Sequence, residues 1–148
     1  MIYNNLDNFH NFCDDFNCNI FISDEDYMRF LLKQMPGHAY WLTCDNIYMG
    51  CNDLQAKDFG LTDANEISGL TNSDLHVSYE TEILDKTNLA VIKSQKTYTG
   101  IERASMINGC RNYFTIKRPL FDKKKRIIGM LGLSVDMSEV KDAVAKKH

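Results

Sequence analysis

The sequence contains no apolar stretch near the roughly 20 residues that a bilayer-spanning helix needs, and residues 1–8 lack the basic start and apolar core of a signal peptide. The cytoplasm is therefore the expected compartment. There is no excess of positive charge either: 17 Lys and Arg face 20 Asp and Glu, for a formal net charge of -3. A protein that grips a phosphate backbone needs a basic face, so nucleic acid is not expected as the main partner. The one basic run, residues 123–126, reads as a solvated turn. The five cysteines are odd in number and follow no regular framework, which fits reduced thiols better than disulfides.

Motifs for covalent chemistry are missing as well. There is no Gly-x-Ser-x-Gly elbow and no Gly-x4-Gly-Lys-Ser/Thr loop. Cys44, Cys51 and Cys110 have no histidine placed by sequence as a partner; Cys110, beside Arg111, is the one thiol with a neighbouring cation, which makes a redox sensor a third reading. His10, Cys13 and Cys18 cluster, but they lack a fourth ligand and the paired Cys-x2-Cys of structural zinc sites. No metal site and no enzymatic activity are expected of this chain.

What is present fits one domain with tails: 148 residues, 44% of them hydrophobic. Leu6, Phe9, Cys13 and Phe16 could form one helical stripe in an N-terminal extension over residues 1–23. Ser23 and Asp26 open a helix over residues 24–34, with Met28, Leu31, Leu32 and Met35 on one side, and Pro36 and Gly37 end it. Two short β-rich runs, residues 39–43 and 47–51, flank Cys44, Asp45 and Asn46 and predict a hairpin. Asn52 can cap a helix that Gly60 stops, and two short helical turns follow, one after Thr62 and one over residues 73–76.

Ser78 can cap the longest helix, in which Ile83, Thr87, Ala90, Val91 and Ser94 form a narrow face suited to covering a sheet. Three β-like runs follow, residues 97–104, 111–121 and 126–135, joined by Asn108-Gly109 and by residues 122–125. They predict an antiparallel meander. Ser138 can cap a last helix carrying Val140, Ala143 and Val144. The expected fold class is α+β: a five-stranded antiparallel sheet with helices packed on one face. The other sheet face needs a cover, either the N-terminal helix or a second copy of the chain.

The residues Met35, Pro36, Gly37, His38, Ala39, Tyr40 and Trp41, and then the run from Tyr48 through Asn52 to Ala56, resemble the opening of PAS domains of bacterial sensor histidine kinases. Pro119-Leu120-Phe121-Asp122, followed by Ile127 through Ser138, is similar to the last two PAS strands and their Asp-Ile-Thr junction with an output helix. Two departures stand out: the first turn is Thr43-Cys44-Asp45-Asn46 in place of Asp-x-x-Gly, and the junction reads Asp136-Met137-Ser138. The resemblance implies a PAS domain over residues 24–136, with residues 137–148 as the start of an output helix. It assigns signal transfer to Asp136 and Ser138.

Heme sensors of this family place a histidine on or beside the long helix. This helix holds none, and His76, just before it, is given a surface or capping role, so heme is not expected. The flavin photoreceptors carry a reactive cysteine where residues 69–75 have none, so flavin is not expected either. A small organic ligand between the sheet and the long helix remains. Tyr40, Phe59, Ile83, Thr87, Val91, Phe114, Ile116 and Met130 are the candidates to line its pocket, with plain core packing as the simpler role for each. The expected function is a sensory module that binds a ligand or partner and relays a conformational change to an effector such as a histidine kinase. The alternative is a ligand-free homodimerisation or docking module. A homodimer is expected in both.

Overall fold

The hairpin predicted by Asp45-Asn46 opens the sheet. In a computed structural model that describes residues 30–146, β1 (His38–Thr43) and β2 (Tyr48–Cys51) pair antiparallel. Asn46 adopts the left-handed φ of 65° that the tight turn requires. Asn52 then caps α1 (Asp53–Asp58), its side chain accepting from the Gln55 N–H. Gly60, at φ 79°, leads the chain away from the helix.

Two short turns cross toward the long helix: a 3-10 turn (Ala64–Ile67) and α2 (Asn72–Leu75). Their caps are Asp63 and Thr71, where the sequence pointed to Thr62 and Ser73. Each belongs to a capping box, with Glu66 and Asp74 reaching back three residues. The long helix α3 (Ser78–Ser94) begins directly after Val77, which stands at its N-cap position with no side-chain hydrogen bond.

The meander forms as expected from β3 (Tyr98–Met106), β4 (Gly109–Phe121) and β5 (Ile127–Asp136). The sheet order is β2-β1-β5-β4-β3, with every neighbouring pair antiparallel. An exit helix, α4 (Met137–Ala145), follows β5 without a break. Tyr40, Leu42, Tyr48, Cys51, Ala56, Ile67, Val91 and Met130 form the buried core between the sheet and its covering helices. Gly132 lies directly opposite Tyr40 in the β1–β5 pair, where any Cβ would collide with the Tyr40 ring.

Two faces differ from the sequence reading. On α3 the buried side is Glu80, Leu84, Asn88 and Val91; Ile83 is 57% exposed, Ala90 and Ser94 are exposed, and Thr87 is half-buried. The buried side carries polar groups with partners waiting on neighbouring elements, so a search for the most apolar stripe lands about one residue, or 100°, away. On β4 the inward residues are Tyr113, Thr115 and Lys117, while Phe114 and Ile116 point to the other side. Side chains alternate along a strand, so a choice of parity made on hydrophobicity moves every residue together.

The helix expected over residues 24–34 is represented by its end, residues 30–33, which are helical. Its start, the Leu6 to Phe16 stripe and the His10, Cys13, Cys18 cluster lie outside the described residues. Among the described residues no helix is long and apolar enough to cross a membrane.

Candidate ligand-binding cavity

The inward faces of the strands and the polar side of α3 enclose a cavity. It offers about 40 Å3 to the centres of water-sized molecules, and the same hollow, counted as all empty space out to open solvent, is about 410 Å3. About 10–15 Å3 of such space holds one water, so the cavity has room for about three. His38 and Tyr40 of β1, Tyr48 of β2, and Gln55 and Phe59 at α1 line one side. Asn72 and His76, then Leu84 and Asn88 of α3, form the roof. The strands supply Glu102, Ala104, Met106, Tyr113, Thr115, Lys117 and Ser134.

Most of these side chains are polar, and many are hydrogen-bonded to one another or to residues just behind the wall, as burial demands. Tyr48 donates to Asn72 Oδ1 at 2.8 Å, and Asn72 and Asn46 both donate to Asp85 Oδ1 at 2.7 Å. Asn88 Nδ2 donates to Asn46 Oδ1 at 2.8 Å. On the sheet, the Ser134 hydroxyl joins Tyr40 at 3.1 Å and Thr115 at 3.0 Å. At one end Glu80 accepts from the Ser105 N–H at 3.0 Å and from its hydroxyl at 2.7 Å, tying the first turn of α3 to β3.

One ion pair stands on the wall, and two histidines have acidic neighbours. Lys117 Nζ donates to Glu102 Oε2 at 2.7 Å with both side chains buried. Burial pushes the lysine's pKa down, and the adjacent Glu102 carboxylate opposes that shift. His38 Nε2 meets Asp58 Oδ2 at 2.7 Å, and its ring packs 5.2 Å from that of Tyr113. His76 stacks edge-on to Phe59 and stands 3.7 Å from Glu80, too far for a hydrogen bond. Burial lowers its pKa, against the pull of Glu80 and Asp85. Burial raises the phenol pKa of Tyr40 and Tyr48 and lifts Tyr113 to about 12, so all three are neutral hydrogen-bonding groups at physiological pH.

The cavity reaches the exit helix in two residues. Ser134 lines it, and Asp136, the N-cap of α4, accepts from the Ser138 N–H at 2.9 Å, from its hydroxyl at 2.7 Å and from Arg111 Nη1 at 2.8 Å. Asp136 is also paired across the β4–β5 ladder with Tyr113, whose side chain is part of the cavity wall.

Of the eight residues expected to line a pocket, Tyr40 and Phe59 do so. Val91 and Met130 are buried in the adjoining core. Ile83 and Thr87 lie off the buried side of α3, and Phe114 and Ile116 lie on the opposite sheet face, for the reasons of rotation and parity given above. His76, expected at the surface or as a cap, holds the C-cap position of α2 with its side chain only 3% exposed. Sequence patterning does not reveal the polar lining, because buried Asn, Lys and Glu look like surface residues in sequence. The density of Asn in these segments was the available signal. Among the described residues, Cys44, Cys51 and Cys110 are free thiols, and no group of three or more His, Cys, Asp or Glu could hold a metal ion. Burial lifts the Cys51 thiol to about 12.

No protein-family model and no curated protein matches the chain by sequence. Solved structures do match by shape. The Vibrio cholerae VqmA–ligand–DNA complex superposes with a TM-score of 0.69 at 18% identity, over 86% of this chain and 58% of that one. The PAS domain of Bordetella pertussis BvgS gives 0.60 at 19% identity, over 85% and 96%. The PAS domain of the Cronobacter turicensis quorum-sensing receptor RpfR, in complex with BDSF, gives 0.56 at 16% identity, over 70% and 95%. The chain spans between 52% and 59% of the VqmA chains it matches. It has the PAS fold.

Proposed function

We propose that this chain is a cytoplasmic sensory PAS module that binds a small ligand in the cavity beneath α3 and relays the change through Asp136 and Ser138 to an effector. It acts by binding, with no covalent step of its own. The observation that carries this reading is the placement of a polar, partly open cavity two residues from the cap of the exit helix. A ligand touching Ser134 or Tyr113 acts on the strand pair that ends at Asp136, and a small change there reorients α4. Structural neighbours with a bound small molecule, VqmA with DPO and RpfR with BDSF, support the reading.

The effector expected from the sequence is a histidine kinase. The VqmA neighbours, one of them solved with DNA, add a DNA-binding effector as a second candidate, whose nucleic-acid contacts would fall outside a chain of net charge -3. A ligand-free dimerisation module is a second reading, favoured by one observation. Ile101, Phe114 and Leu131, 62%, 37% and 38% exposed, place apolar side chains on the outer sheet face. We propose that a second copy packs there; VqmA is a dimer, which accords with this.

Native mass spectrometry of the purified chain, beside a denatured control, tests the two. A small molecule that travels with the folded protein and leaves on denaturation supports the sensor. A dimer of bare polypeptide that remains bare after incubation with a cell extract shifts the assignment to the docking module.

A further inference from the structure

The hydrogen bonds along the roof of the cavity run in one fixed direction. The Asp85 carboxylate can only accept, so Asn46 and Asn72 both turn their NH2 groups to its Oδ1, each at 2.7 Å. Their amide oxygens must then receive protons from elsewhere. Asn72 Oδ1 receives one from Tyr48, and Asn46 Oδ1 receives one from Asn88 Nδ2. The orientation of Asn88 is thereby set, because turning its amide over would bring two oxygens together. Its own oxygen is left over.

Asn88 lines the cavity, is 3% exposed, and its Oδ1 has no donor among the described residues. Gln55, also on the wall and 2% exposed, leaves Oε1 without a donor in the same way. A buried acceptor without a partner carries its full desolvation cost. Two ring nitrogens on the same wall, His38 Nδ1 and His76 Nδ1, are unpartnered too, and no hydrogen bond among the described residues supplies either oxygen with a donor.

Charge limits what can bring those donors. Lys117 and Glu102 neutralise each other at 2.7 Å, His38 is bonded to Asp58, and His76 stands beside Glu80. Among the described residues, the one Lys–Glu ion pair on the cavity wall is matched within itself and leaves no counterion for a charged ligand, which would be desolvated on entry.

We infer that the ligand is a small uncharged molecule bearing an N–H or O–H group, which it donates to Asn88 Oδ1. This rests on the ligand-binding reading of the cavity and adds the chemical class. Gln55, whose amide is not anchored by a chain of bonds, adapts to whichever group the rest of the ligand presents.

The test is NMR titration of the full chain with matched fragments: 2-pyridone against N-methyl-2-pyridone, with benzoate and benzylamine as charged counterparts. The side-chain amide resonances of Asn88, Asn72 and Asn46 report binding. 2-Pyridone is expected to shift them with an affinity at least about tenfold above its N-methyl derivative, the effect of one buried hydrogen bond, and the charged fragments to leave them unmoved. Asn88→Leu should level the lactam pair, while the wild-type comparison stands alone if that variant does not fold. Equal binding of the N-methyl compound or of a charged fragment overturns the donor rule and leaves the cavity a ligand site. If no fragment moves any cavity resonance, the donor rule and the ligand-binding reading fall together.

Discussion

Lys117 and Glu102 form an ion pair at 2.7 Å, with both side chains buried, on the inner face of the β3–β4 ladder. Glu102 lies opposite Tyr113 and Lys117 opposite Tyr98, so the pair bridges diagonally past Gly100 and Thr115, and Lys117 Nζ stands 5.8 Å from the centre of the Tyr98 ring. Removing one partner of such a pair strands a buried charge, a change that costs about 3–5 kcal/mol, whereas replacing both with apolar groups is often neutral.

Glu102→Leu is therefore expected to lower unfolding stability by about 3 kcal/mol, and Lys117→Met together with Glu102→Leu to recover most of it. Urea unfolding of the three proteins measures this. Equal and additive losses would show that the two side chains do not act as a pair.

His76 makes a second prediction, on pH. Its folded-state pKa is lowered, mainly by burial, while the unfolded chain titrates near about 6.5. Below that pH the unfolded chain takes up a proton that the folded protein resists, so stability falls as pH drops from about 6.5 toward the lowered folded value. The slope is at most about 1.4 kcal/mol per pH unit for one proton. Glu80, lowered too because its hydrogen bonds from Ser105 outweigh the opposing effect of burial, contributes only in the carboxylate range below this window. His76→Gln should flatten the stability profile between about pH 6.5 and 5. An unchanged slope in thermal melts would assign the dependence to another group.

The architecture was legible in the sequence because its punctuation is local. Asn46 in the hairpin turn, Asn52 at the α1 cap, Gly60 after it and Gly109 at the β3–β4 turn each carry the backbone property that their residue type predicts. The cavity was not legible, for a physical reason. Hydrophobic patterning finds the side of an element that leaves water on its own, and here α3 and β4 bury polar sides that are stable only through partners distant in sequence. Asn88 reaches Asn46 and Glu80 reaches Ser105, pairings that no local pattern encodes. On β4 the more apolar side, with Phe114 and Ile116, which hydrophobicity alone would turn inward, faces outward.

That outer face gives a third prediction. If a second copy covers Ile101, Phe114 and Leu131, a charge placed among them must be desolvated on association. Ile101→Glu with Leu131→Glu should convert the dimer to a monomer in sedimentation, with thermal stability within about 1 kcal/mol of the parent monomer, because exposed positions contribute little to folding. A dimer that persists with both charges in place would put the interface elsewhere.

The cap of the exit helix carries the last prediction. Asp136 collects three hydrogen bonds, two from Ser138 and one from Arg111, and these hold its carboxyl pKa below the ordinary range although burial alone would raise it. The cap is thus intact at neutral pH, and its contribution is lost only as pH falls below the unfolded value of about 3.9. Asp136→Ala removes the acceptor at the first turn of a helix only nine residues long, at a cost of about 1 kcal/mol; the half-exposed Arg111 adds little. Hydrogen exchange should then show faster exchange over α4 with β4 and β5 unchanged, and fragment binding in the cavity should persist while any output from a fused effector is lost. Asp136→Asn, which keeps an acceptor for Ser138 and gives up the charge, should fall between the two. Faster exchange throughout the sheet would make Asp136 a folding residue and remove it from the relay.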